Sequence, residues 1–186
     1  MEYLALDFET TGLDPKVDEV ISIGAIPIVD GRVDLTRLTY AEAVHSRPAN
    51  RSGVAIHGLR PVDLAEGQGR ETLRARLVDS LDNRQPIAWA AWVEAAFLAS
   101  LLGGGERKWQ SRIIDVIDLV AELDRADGVE GSADETLVAC CARFGIPHAR
   151  AHHALGDALM TAQLFMVVTR RLRGPSANIP VETAPA

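Results

Sequence analysis

The spacing of hydrophobic positions changes several times along the chain, and each change marks an element. In residues 3–8, YLALDF, Leu4, Leu6 and Phe8 fall on one side of a strand and Asp7 on the other. Residues 19–29, EVISIGAIPIV, are rich in β-branched side chains and end at Asp30-Gly31, a strong hairpin pair, so 33–39 reads as the returning strand. Residues 47–69 scatter Pro and Gly and read as short helical turns. Over 70–81 the period becomes helical, with Leu73, Leu77 and Leu81 on one stripe. Residues 86–89 form a short buried strand that feeds a helix around Glu94, and 101–112, LLGGGERKWQSR, reads as a loop. In 113–126 a strand end passes into a helix, with Asp115 placed as its N-cap. A helix over 134–144 stops at Gly145-Ile146-Pro147, and a last helix covers 154–172. The remainder, GPSANIPVETAPA, has too little apolar content to pack, which gives a folded domain over 1–173 and a disordered tail over 174–186. Three strands followed by alternating strands and helices imply a mixed sheet flanked by helices, in an α/β or α+β domain without internal repeats.

One residue breaks the apolar pattern. Glu94 shares a helix face with Leu98, Leu101 and Leu102, while Ala95, Phe97 and Ala99 make the opposite face apolar as well. A carboxylate on such a helix is buried and needs a partner. A membrane span with a defect, a buried ion pair, and a metal or catalytic ligand all meet that description. The span fails on length, since crossing takes roughly 20 residues, and a central acid costs about 2.5–3.5 kcal/mol on insertion scales. The N-terminus has no basic region ahead of an apolar core, so a cytoplasmic protein is expected.

Composition adds limits. At 186 residues, 47% of them hydrophobic, the chain has the content of one globular domain. A net charge of −7 supplies no global attraction for nucleic acid, so a polyanion would have to be handled by bound cations or a few arginines. Cys140 and Cys141 are adjacent and point about 100° apart on a helix, which disfavours a mutual disulfide. Cys141, His148 and His152 are too few for a structural zinc site, and two buried core thiols are the expected reading.

Two clusters carry candidate chemistry. Asp7 and Glu9, in LALDFETTGLDP, project from one face of the first strand and repel each other. A divalent cation relieves that repulsion, and so does solvent at an exposed strand end. The following Thr-Thr-Gly offers backbone N–H groups and a tight turn where a phosphate or sugar can approach. In AHHALGDALMTAQLF, His152 and Asp157 are five apart and meet one site only if His152 lies before the helix and Asp157 in its first turn. His153 is then the packing or solvent-facing neighbour.

DFETTG, the Glu94 segment and HHALGDA resemble, in order and spacing, the three motifs of the DEDDh group of 3′–5′ exonucleases. That group includes the proofreading epsilon subunit of bacterial DNA polymerase III, RNase T and oligoribonuclease. The resemblance covers residues 3–172 and extends to AIHGLRPVDL and to the aspartate-started helix of IIDVIDL. It implies an α/β ribonuclease H-like fold: a mixed sheet of five strands, the first three an antiparallel meander, flanked by helices. It further implies two divalent ions, Mg²⁺ or Mn²⁺, with Asp7, Glu9, Glu94 and Asp157 as ligands and His152 as general base. Thr10, Thr11, Gly12 and Leu13, with His57, would hold the 3′-terminal nucleotide, although His57 equally fits a histidine near a helix end before a capping glycine. The implied substrate is the 3′ end of single-stranded DNA or RNA, and a proofreading role would require a DNA polymerase partner. TAQLF is similar to a sliding-clamp peptide, but Leu164 and Phe165 fit a helix core. The second motif departs from the group: its usual His-Asn and aspartate fall at Trp89, Ala90 and Glu94. That departure leaves room for a weakened, nucleic-acid-binding or scaffold domain of the same fold.

Overall fold

The structure is a computed structural model and describes residues 1–44, 64–129, 135–148 and 152–174. The elements in chain order are β1 (Glu2–Thr10), β2 (Val20–Val29), β3 (Arg32–Val33), β4 (Thr39–Glu42), α1 (Arg70–Leu81), β5 (Arg84–Ala88), α2 (Trp92–Leu102), α3 (Glu106–Arg112), β6 (Ile114–Asp115), α4 (Val116–Asp127), α5 (Leu137–Arg143) and α6 (Ala154–Arg173). All six strands form one sheet. β1 lies at its centre, antiparallel to β2 and parallel to β5, which is parallel in turn to β6. β3 and β4 both pair with β2, at opposite ends of it.

Alternation along β1 and β2 divides the core into two layers. Leu4, Leu6, Phe8, Ile23 and Ala25 pack with Leu73, Leu77 and Leu81 of α1 and Phe97, Leu98 and Leu101 of α2. Ala5, Ile26 and Ile28 face the other way, against α4, α5 and the long α6. This is the mixed, helix-flanked α/β sheet that the pattern predicts. Cys140 and Cys141 are free, buried thiols in the second layer, and burial pushes them up to about 11 and about 12. Leu164 and Phe165 are buried there too, which removes TAQLF from any exposed peptide role. Among the described residues, no helix is long and apolar enough to cross a membrane.

Two local expectations change. The returning strand predicted over 33–39 is split in two, which brings the sheet to six strands. Asp30 and Gly31 both take positive φ, as a tight hairpin requires, but β3 ends at Val33. There Asp34 Oδ1 accepts hydrogen bonds from the Thr36 N–H at 3.0 Å and hydroxyl at 2.6 Å, and Oδ2 accepts one from Arg37 Nε at 2.6 Å. This side-chain-closed turn takes the chain out of the ladder before β4 resumes further along β2. The loop predicted over 101–112 contains α3. Gly103, Gly104 and Gly105 reverse the chain at positive φ, and Trp109 then buries its ring while its indole N–H donates to Gly103 O at 2.7 Å. The turns expected up to residue 63, the start of the helix expected at 134, and the tail from 175 lie outside the described residues.

Candidate active site

The carboxyl end of β1 delivers Asp7 and Glu9 on the α6 side of the sheet. Glycine completes this arrangement. Gly24 of β2 is the register partner of Asp7, and a Cβ there would run into the Ala154 carbonyl at the start of α6. Only glycine lets the helix N-terminus lie this close to the strand. α6 therefore begins directly over the acids, with His153 as its N-cap and Asp157 in its first turn. His152 precedes the helix at φ +56, is exposed, and donates its backbone N–H to Asp157 Oδ2 at 3.0 Å. His153 is half-buried and stacks on Tyr40, with ring centroids 5.0 Å apart and planes at 15°. Tyr40 lies on the edge strand β4, so this stack ties the start of α6 to that strand, and the Tyr40 hydroxyl donates to Glu42 Oε1 of the same strand at 2.6 Å.

One carboxylate oxygen from each of Asp7, Glu9 and Asp157 lies within 4.8 Å of the others. Burial drives all of them toward the neutral form, and repulsion from neighbouring acids adds to it at Asp7 and Glu9. Asp7 is raised well above the usual carboxylate range by burial first, then by the charges of Glu94, Asp157 and Glu9. Glu9 is pushed up to about 7 by burial and by Asp157. Asp157 is raised by burial, against the opposing pull of the His152 N–H and of the two histidines.

Glu94 stands outside this closest group but within its field. It is 3% exposed in the first turn of α2, and burial raises it well above its ordinary range, with Asp115 and Glu9 adding to the effect. Among the described residues no cation pairs with it, so the ion-pair reading finds no partner there. Glu94 Oε2 and Asp157 Oδ1 are both buried and have no hydrogen-bond partner among the described residues. Oxygens left in that state are costly unless something else meets them. Three clustered carboxylates with Glu94 beside them, and two orphaned oxygens, are a donor set suited to hard divalent cations.

The loop after β1 is held by its own side chains. Thr10 Oγ1 donates to Gly12 O at 2.6 Å, and buried Thr11 donates to Asp18 Oδ1 at 3.1 Å while accepting the Glu19 N–H at 3.0 Å. Gly12 packs against the Asp18 carboxyl, where a Cβ would collide. Leu13 is left 64% exposed. His57 lies outside the described residues. Sequence reasoning missed Gly24, Tyr40 and Asp18. Of these only Gly24 carries a legible signal, a glycine inside an otherwise apolar strand.

The comparisons agree with this geometry. The exonuclease family RNase_T matches residues 4–165. A DNA polymerase III PolC-type from Thermotoga petrophila is 31% identical over 168 residues, covering 88% of this chain and 12% of the relative. A DNA polymerase III subunit epsilon-like protein from Rhodobacter capsulatus is 29% identical over 171 residues, covering 89% and 23%. The chain thus spans less than a quarter of the length of these curated relatives. Among solved structures, E. coli exonuclease I in complex with a dT13 oligonucleotide superposes with a TM-score of 0.77 at 18% identity, covering 92% of this chain and 42% of that one. The cell-death related nuclease CRN-4 gives 0.71 at 17%, covering 89% and 62%. These likenesses, together with its first and third motifs, mean that the chain belongs to the exonuclease family, as a DEDD-type 3′–5′ exonuclease domain.

Proposed function

We propose that the domain hydrolyses single-stranded DNA from its 3′ end and releases nucleoside 5′-monophosphates. Asp7, Glu9, Glu94 and Asp157 would hold the Mg²⁺ or Mn²⁺ ions. The observation that carries this reading is the pair of buried, unpartnered oxygens, Glu94 Oε2 and Asp157 Oδ1, beside carboxylates raised by one another. Two divalent ions, when bound, supply the positive charge that stabilises the attacking and leaving oxygens of the phosphodiester. They would also make the net charge of −7 compatible with a polyanionic substrate.

The protein's own groups do the remaining work. His152, exposed beside Asp157, takes the proton of the attacking water. Its backbone bond to Asp157 fixes the loop from which the imidazole projects. The braced loop Thr10–Gly12 and the exposed Leu13 would receive the terminal nucleotide, with His57 assisting. DNA is favoured over RNA as substrate by the match to two DNA polymerase III relatives and by the fold shared with an exonuclease solved on dT13. The same relatives support a setting in which the domain works beside a DNA polymerase.

Matched 5′-labelled DNA and RNA oligonucleotides test the proposal. DNA should shorten as a ladder from its 3′ end with Mg²⁺ or Mn²⁺, and EDTA should stop it completely. Products ending in 3′-phosphate, full activity in EDTA, or a strong preference for RNA would each overturn part of the reading.

A further inference from the structure

The turn that leads into the Glu94 helix is strained and has no local side-chain cap. Ala90 sits at φ +57, a conformation that side chains with a Cβ avoid. Ala91 is the N-cap of α2 and supplies no side-chain acceptor for the free N–H groups of the helix start.

The missing acceptor comes from across the sheet. Asp115 ends β6 opposite Ala88, the last residue of β5. Its Oδ2 accepts the Ala91 N–H at 2.9 Å, and its Oδ1 accepts the Ile117 N–H at 3.0 Å as the N-cap of α4. The Ala90 N–H also helps to hold this carboxylate in its charged form. A single side chain therefore caps two helices. Both oxygens are engaged with backbone donors, which separates Asp115 from the unpartnered carboxylates of the cluster despite its closeness to Glu94.

We infer that Asp115 is a positioning residue for Glu94: by tying the Ala90-Ala91 turn to the start of α4, it fixes where α2 begins and how far the Glu94 carboxylate reaches. A glutamate has one more rotatable bond than an aspartate, so its reach depends more on a fixed base. The inference rests on the reading of Glu94 as a metal ligand.

Asp115→Ser separates the two duties of the residue. Serine is a good N-cap and keeps an oxygen for Ile117, but it is too short to hold Ala91 as well. Asp115→Ala loses both. The measurements are calorimetric Mn²⁺ titration of the metal-free protein, thermal melting, and steady-state cleavage of a DNA oligonucleotide. Asp115→Ser should melt closer to the parent than Asp115→Ala does. Its Mn²⁺ affinity and kcat should nevertheless fall about 10–100-fold, the usual effect of removing support behind a metal ligand, with KM for DNA unchanged. Glu94→Gln and the double variant Glu94→Gln/Asp115→Ser should bind Mn²⁺ equally weakly, because the clamp acts through Glu94. Parent-like titration and turnover by Asp115→Ser, or a further full loss in the double variant, overturns the inference alone. Parent-like Mn²⁺ binding by Glu94→Gln overturns the ligand reading, and the inference with it.

Discussion

Two buried acids in this molecule are treated in opposite ways. Asp124 of α4, 4% exposed, receives a bidentate grip from Arg143 of α5, with Oδ1 at 2.7 Å and Oδ2 at 3.1 Å, and Arg143 reaches Glu135 as well. Glu94, 3% exposed, has no cation paired with it among the described residues, feels the charges of Asp115 and Glu9, and keeps one oxygen without a partner there. Equal burial therefore has two solutions. Between α4 and α5 the chain supplies its own cation, and the charge becomes part of the scaffold. At the carboxyl end of β1 the chain brings acids together with no Lys or Arg paired to them among the described residues. That arrangement costs stability in the metal-free protein and leaves the site receptive to ions from solution.

Neutralising each acid in turn gives the sharpest contrast. Glu94→Gln keeps size and hydrogen bonding but removes the charge, so turnover should nearly stop and Mn²⁺ binding should weaken. Metal-free stability should hold or rise, because repulsion is relieved. Asp124→Asn should do the reverse: cleavage stays near the parent level, while melting reports a loss of about 1–3 kcal/mol from the weakened buried bonds. Early melting of Glu94→Gln with intact cleavage would erase the distinction between the two sites.

The histidine pair divides function from packing inside the site. His152→Ala removes the proposed base and leaves the carboxylates, so turnover should drop by about 10²–10⁴ with metal binding retained. His153→Ala removes the ring stacked on Tyr40 and should cost far less activity. Single-turnover cleavage beside Mn²⁺ titration checks both. Reversed effects would move the base to His153.

The acid cluster should also show itself in the pH dependence of stability. Glu9 is raised from its ordinary 4.5 to about 7 in the folded protein. Between those values the folded state holds more protons than the unfolded state, so metal-free stability should fall as pH rises through the window. On the proposed reading, saturating Mg²⁺ should bind only the folded state with its carboxylates ionised, and should flatten or reverse that slope. Thermal melts from pH 4.5 to pH 7.5, with and without Mg²⁺, measure it. A metal-free melting temperature that climbs across the window would contradict the cluster's electrostatics.

Much of this organisation is legible in the sequence, because period carries it. Alternation along β1 separates Leu4, Leu6 and Phe8 from Asp7, and the single acid in an apolar helix singles out Glu94 as a question. The five-residue gap from His152 to Asp157 dictates a loop followed by a first turn, which is where the two residues lie. What stays hidden depends on contacts between distant segments. α3 buries only Trp109 and so has no stripe to read. The Asp34 turn that splits the third strand depends on side-chain bonds, which alternation does not encode. Gly24 matters only because α6 returns to it from 130 residues further on. Asp115 reads as a local cap, and its second bond, to Ala91, exists only once β6 lies beside β5.

The smallest expected effect concerns backbone strain, and it extends the same contrast. Around the Arg143–Asp124 pair the left-handed positions are glycines: Gly128 at φ +72 closes α4 and Gly145 at φ +69 follows α5. At the site they fall on Ala90 and His152, at +57 and +56. Histidine, like the Asp30 and Asn83 that share this conformation elsewhere, belongs to the residue types enriched there, and alanine does not. A left-handed alanine costs about 1–2 kcal/mol, and glycine gives back about 0.4–1 kcal/mol in unfolded-state entropy. Ala90→Gly should therefore stabilise the protein by about 0.5–1 kcal/mol. Ala90→Asn, which restores the residue type usual in the resembling group, should gain in the same direction without loosening the turn. If strain at Ala90 merely burdens the fold, Ala90→Asn should raise the melting temperature and leave Mn²⁺ affinity and kcat where they were. If the strained turn helps to aim Glu94, the same gain in stability should come with a change in Mn²⁺ affinity, and Ala90→Gly, which frees the turn, should lose more affinity than Ala90→Asn. A variant that gains no stability at all would mean that Asp115 already absorbs the strain through its bond to Ala91.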